Sequence, residues 1–75
     1  MEILETMGKR IRSLRDQNGL TQKSMAEILD CTHSNYQKIE YGKINISATT
    51  LAFLADYFEV STDYLLGRSD DRRTL

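Results

Sequence analysis

Apolar side chains recur along this chain at helical spacing. Met7, Ile11 and Leu14 step by four and three, with Leu4 a turn earlier, so they share one helical face, while Lys9, Arg10, Arg12 and Ser13 fill the other. Asn18-Gly19 closes this first helix, because glycine accepts the left-handed conformation favoured just past a helix C-terminus, and Leu20 follows as a hydrophobic anchor. Thr21 is an N-cap for a second helix, Gln22 to Leu29, whose buried pair is Met25 and Leu29. Thr32 caps a third helix that runs to about Glu40 and is closed by Tyr41-Gly42; Tyr36 and Ile39 point inward, and Cys31 lies just before it. Ser47 caps a fourth, with Leu51, Leu54, Ala55 and Phe58 buried. Ser61 caps a short fifth, with Asp63 near its positive N-terminal end and Gly67 beyond its last turn; Val60, Tyr64 and Leu65 close the core. Lys43-Ile44-Asn45-Ile46 alternates, but it is too short to pair with another strand. The pattern predicts an all-α chain: a compact bundle of five short helices.

Length and composition narrow the possibilities. The 75 residues suffice for one domain, expected over 1–67, followed by a short charged tail, 68–75, with almost nothing to bury and hence expected to be flexible. The longest apolar run, Leu51 to Ala55, falls far short of the roughly 20 residues of a membrane span. No export signal is visible, so the expected location is the cytoplasm. A lone Cys31 excludes an intramolecular disulfide, and with a single histidine it leaves no zinc set. Glu27, Glu40 and His33 do not have the spacing of a nucleophile, base and orienter, and there is no glycine-rich phosphate loop. The expectation is a non-enzyme with no catalytic residue, no metal and no cofactor.

Charge is distributed unevenly. The net charge is −1, but the stretch from Gly8 to Lys43 carries +3 and the two flanks together −4. An acidic protein can still present one positive face, and a phosphate backbone senses that face.

The segment Gln22 to Tyr41 places two helices of about eight residues around a turn of about three. Met25, Leu29, Cys31, Tyr36 and Ile39 are its apolar positions, and Ala26 is small enough for the helix backbones to approach closely. This arrangement is a helix-turn-helix, which leaves the outer face of its second helix free for a major groove. That face is the polar stripe His33, Ser34, Gln37, Lys38 and Tyr41.

Gly8-Lys-Arg-Ile-Arg-Ser-Leu-Arg15, Asn18-Gly-Leu-Thr-Gln-Lys23, Met25-Ala-Glu-Ile-Leu29, Ile39-Glu-Tyr-Gly-Lys43 and Val60-Ser-Thr-Asp-Tyr-Leu-Leu-Gly67 together resemble the phage repressor/Cro family of lambda-repressor-like, five-helix DNA-binding domains. The likeness spans residues 7 to 67. It implies a transcriptional regulator of a bacterial, phage or mobile-element promoter, most often a repressor, that binds double-stranded operator DNA as a homodimer on a palindromic site. By the same resemblance, His33, Ser34 and Lys38 stand where the family reads bases, with Gln37 an adjacent candidate. Lysine can donate to guanine O6 and N7, and glutamine can pair with adenine N6 and N7. Gln22 would bond a backbone phosphate and buttress a base-reading side chain, and Thr21, Lys23, Tyr41 and Lys43 are further phosphate candidates. Arg15 and Glu40 match a family pair that bridges the first helix to the end of the third, a structural support.

Three departures stand out. Asp30 occupies the turn position where the family prefers glycine, Tyr36 replaces a branched aliphatic and needs water or a partner for its hydroxyl, and His33 replaces a more usual glutamine or arginine. Ile44, Ile46, Leu66 and the fifth helix are candidates for the dimer surface, and Phe53, Tyr57 and Tyr64 are expected to be core or dimer surface. Two other readings remain open: the DNA-binding half of an antitoxin or immunity-regulator pair, and a protein-interaction module that keeps only the shape.

Overall fold

The structure, a computed structural model, describes residues 1–73; Thr74 and Leu75, the end of the expected tail, lie outside the described residues. The elements are α1 (Glu2–Gln17), α2 (Gln22–Ile28), α3 (His33–Glu40), α4 (Ala48–Tyr57) and α5 (Thr62–Leu66), with no strand among the described residues. The fold is the five-helix, helix-turn-helix bundle. α1 runs through the middle and packs against α3 and α5, while α2 leans on α3 and α4 on α5.

Local chemistry sets the helix ends. Thr21, Thr32, Ser47 and Ser61 each accept a hydrogen bond from the backbone N–H three residues on, satisfying one otherwise unpaired donor per helix. At their C-termini, all five helices close through a residue of positive φ. Three of these are glycines, Gly19, Gly42 and Gly67; the others are Asp30 (φ 54) and Glu59 (φ 55). At the turn between α2 and α3, the Cys31 N–H reaches the Ala26 carbonyl at 2.9 Å and the Asp30 N–H reaches that of Glu27 at 3.2 Å.

The core is formed by Met7, Ile11 and Leu14 of α1 with Met25, Ala26, Tyr36, Ile39, Leu54, Ala55, Phe58, Val60 and Leu65. At Gly8 the backbones of α1 and α3 nearly touch: a Cβ there would lie 2.6 Å from the Ile39 carbonyl oxygen and closer still to that of Glu40. This approach brings Glu40 beside Arg15.

The second helix is one residue shorter than its spacing predicts, and three residues are less buried. α2 ends at Ile28, with Leu29 as its C-cap, and Leu29 and Leu51 are only half-buried because they pack on the core from its edge. Tyr64 is likewise half-buried, and the guanidinium groups of Arg10 and Arg72 lie over its ring, 4.2 and 5.3 Å from its centroid. Part of the tail has contacts with the bundle. Arg10 Nη1 donates to the Tyr64 and Ser69 carbonyls, both at 2.7 Å, and the Ser61 N–H donates to the Arg72 carbonyl at 2.8 Å. Ile44, Ile46 and Leu66 are half-buried against the core, whereas Phe53 and Tyr57, stacked 5.8 Å apart on α4, are exposed. Finally, the Tyr36 hydroxyl is buried and has no hydrogen-bond partner among the described residues.

Candidate nucleic-acid interface

α3 has two faces of different chemistry. Tyr36, Ile39 and Glu40 face inward and are buried. His33, Ser34, Lys38 and Tyr41 are exposed, and Gln37 is half-buried between the two sets. Thr21, Lys23 and Lys43 are exposed around this face, and Gln22 is half-buried beneath it.

A buried ion pair anchors the arrangement. Arg15 Nε donates to Glu40 Oε2 at 2.6 Å and Nη2 to Oε1 at 3.3 Å, while Nη1 donates to the Leu20 carbonyl at 2.8 Å. The Glu40 side chain is fully buried and that of Arg15 is 11% exposed. Burial alone would push the Glu40 carboxyl up, but the pull of Arg15, then of the neighbouring Tyr36 hydroxyl and of Gln22, outweighs it and holds the group below the usual carboxylate range. The hydrogen bond to Glu40 likewise raises Arg15, against its own desolvation.

Gln22 carries this anchor outward. Its Nε2 donates to Glu40 Oε1 at 3.1 Å, and its Oε1 accepts from Gln37 Nε2 and His33 Nε2, each at 3.3 Å. Thus Arg15, Glu40, Gln22, His33 and Gln37 form one connected set. Ser34, Lys38, Tyr41, Lys23 and Lys43 lie outside it, projecting from the same region.

Sequence reasoning assigned no contact role to Arg12 or Lys9, which also line this region. Arg12 of α1 lines one depression with Thr21, Gln22, Lys23, His33 and Tyr41, and a second with Lys9, Tyr41 and Lys43. Its only ionic neighbour among the described residues is Asp16, at 4.0 Å on an exposed surface, a weak restraint. The signal was present in the positive charge of the 8–43 stretch, but only the packing of α1 against α3 shows which of those cations share the groove. Such a surface offers exposed cations at its rim for phosphates, and amide, imidazole and hydroxyl groups at its centre for base edges. Among the described residues, no group of three or more His, Cys, Asp or Glu side chains could hold a metal ion. No described helix is long and apolar enough to cross a membrane.

A family profile described as a helix-turn-helix domain matches residues 8–70. The HTH-type transcriptional regulator ImmR of Bacillus subtilis (strain 168) is 37% identical over 65 residues, covering 87% of this chain and 51% of that protein. The SPbeta prophage-derived uncharacterized HTH-type transcriptional regulator YonR, from the same organism, is 39% identical over 59 residues, 79% of this chain and 55% of that one. This chain therefore spans about half the length of the curated relatives it matches. Among solved structures, the restriction-modification controller protein C.AhdI from Aeromonas hydrophila superposes with a TM-score of 0.73 at 28% identity, over 87% of this chain and 98% of that one.

Proposed function

Because the chain belongs to the helix-turn-helix domain family, we propose that it binds double-stranded DNA in a sequence-specific manner and regulates transcription, as a repressor that occupies a promoter. The observation that carries this reading is the outer face of α3. Its exposed donors and cation stand on a helix fixed from beneath by the Arg15–Glu40–Gln22 network, so the face meets a ligand already ordered. His33, Ser34, Gln37 and Lys38 read base edges in the major groove. Thr21, Gln22, Lys23, Tyr41 and Lys43 hold phosphates, joined by Arg12 from α1. Relatives named as HTH-type transcriptional regulators support the same assignment.

The bound species is a homodimer on a palindromic site, with half-sites about 10 base pairs apart, centre to centre. The exposed stacked pair Phe53 and Tyr57 offers an apolar surface for self-association. The deciding experiment is selection of bound duplexes from random DNA, followed by titration at two salt concentrations. A palindromic consensus, bound with salt-dependent affinity, is the expected result; recovery of unenriched sequence would refute the reading.

A further inference from the structure

We infer that the buried Glu40 carboxylate, acting through Gln22, decides which hydrogen-bonding groups Gln37 offers to a base, and so makes adenine rather than guanine its partner. This rests on the DNA-binding reading above. A carboxylate only accepts hydrogen bonds, so Gln22 must turn its amide nitrogen toward Glu40, where Nε2 lies 3.1 Å from Oε1. Glu40 is itself held in place: its side chain is fully buried and Arg15 donates to both oxygens. The Gln22 carbonyl is therefore committed to the α3 side, where it accepts from Gln37 Nε2 and His33 Nε2, both at 3.3 Å. Two donors occupy the two acceptor directions of that oxygen.

Gln37 has thus spent one N–H inward and keeps its carbonyl oxygen and one N–H. In the major groove, adenine shows the N6 donor beside the N7 acceptor, whereas guanine shows two acceptors, N7 and O6. The remaining groups of Gln37 match adenine. On guanine they would set one oxygen against another. Glu40 touches no base in this scheme; it is a positioning residue, and its charge is what keeps the polarity of the relay from turning over.

The test repeats the random-duplex selection with wild type, Gln37→Ala, Gln22→Met and Glu40→Gln, with a thermal melt of each. The base pair whose preference disappears in Gln37→Ala is the one Gln37 reads. Wild type is expected to favour adenine over guanine there by about tenfold, within the range of a bidentate base contact. Gln22→Met keeps both Arg15 hydrogen bonds to Glu40 and, where its melt shows a folded chain, should weaken that discrimination. In Glu40→Gln, Arg15 takes the new carbonyl and the amide nitrogen faces Gln22, so the relay turns over and the preference should move to guanine, a reversal that a mere loss of stability would not produce. If Glu40→Gln does not fold, Gln22→Met decides. A wild-type preference for guanine, a Gln37→Ala consensus identical to wild type, an adenine preference undiminished in folded Gln22→Met, or one retained in folded Glu40→Gln overturns the inference. Failure of wild type to select any sequence would instead overturn the DNA-binding reading.

Discussion

Glu40 carries its charge at a site from which water is excluded, so its neighbours determine its cost. Removing Arg15 would leave that charge buried without its main partner. Arg15→Ala is expected to destabilise the fold by about 3 kcal/mol, read as a fall in thermal or urea midpoint, with loss of DNA binding following from unfolding. The same pair gives a pH dependence of definite sign. Glu40 ionises at lower pH in the folded chain than in the unfolded one, so its contribution is fully present above the ordinary carboxylate range and is lost as pH falls through the folded value. An acid titration should therefore be flatter for Glu40→Gln than for wild type. Tyr36 behaves oppositely. Burial, reinforced by the neighbouring Glu40 carboxylate, pushes its phenol up, so its contribution holds below the ordinary phenol range and is lost as pH rises beyond it. With the hydroxyl buried and only the Glu40 carboxylate drawing on it, Tyr36→Phe should change stability by about 1 kcal/mol or less and weaken the alkaline loss. The sequence showed that this hydroxyl would need a partner, but not that the core would withhold one, since that depends on how α1, α2 and α3 close around it.

At the scale of elements, the capping residues were legible because a cap is local: Thr21, Thr32, Ser47 and Ser61 each bond a backbone N–H only three residues away. The strained ends were half legible. Asp30 stood out against a glycine preference, whereas Glu59 adopts the same left-handed backbone with no warning from its residue type. Aspartate tolerates that region through its short polar side chain and glutamate less so. Replacing Glu59 by glycine should therefore stabilise more than replacing Asp30, with gains of about 1 kcal/mol or less after the added chain entropy of glycine, measured by chemical unfolding. On α3, position divides the roles. Lys38→Ala is expected to cost about 1–3 kcal/mol on the selected site and little on random DNA, as a base contact would. Lys43→Ala should weaken both alike and reduce the salt slope by roughly one unit. Equal losses on both DNAs for Lys38 would move it to the phosphate set.

Across the whole molecule, α1 organises more than its own hydrophobic face. Arg10, on the side that the sequence pattern assigned to solvent, keeps only 21% of its side chain exposed. It ties α5 to the tail by stacking on Tyr64 and donating to Tyr64, Ser69 and Asp70, while Arg72 covers the ring from the tail and reaches Gln17 at 3.1 Å. Arg10→Ala should therefore release residues 68–73, seen as faster amide exchange there and a melting temperature lowered by about 1 kcal/mol of stability. An unchanged exchange pattern would show that the tail holds without it. The arrangement also accounts for the charge arithmetic. α1 sends Arg10 to the acidic tail and Arg12 to the α3 groove, so two cations of one helix serve different parts of the surface.

By itself the sequence determined the helices, their caps, the inward and outward sides of α3 and the pairing of Arg15 with Glu40, the last through family likeness. Helical period and capping are short-range, fixed by residues three or four apart. Only the tertiary structure decided that Gln22 lies between Glu40 and the α3 face, that Tyr36 is closed off, that Arg12 joins the groove and that the tail docks on Tyr64. Those contacts join residues far apart in the chain, 18 positions for Gln22 and Glu40 and 54 for Arg10 and Tyr64. No local periodicity encodes such a separation, because it arises only when separate helices are packed against one another.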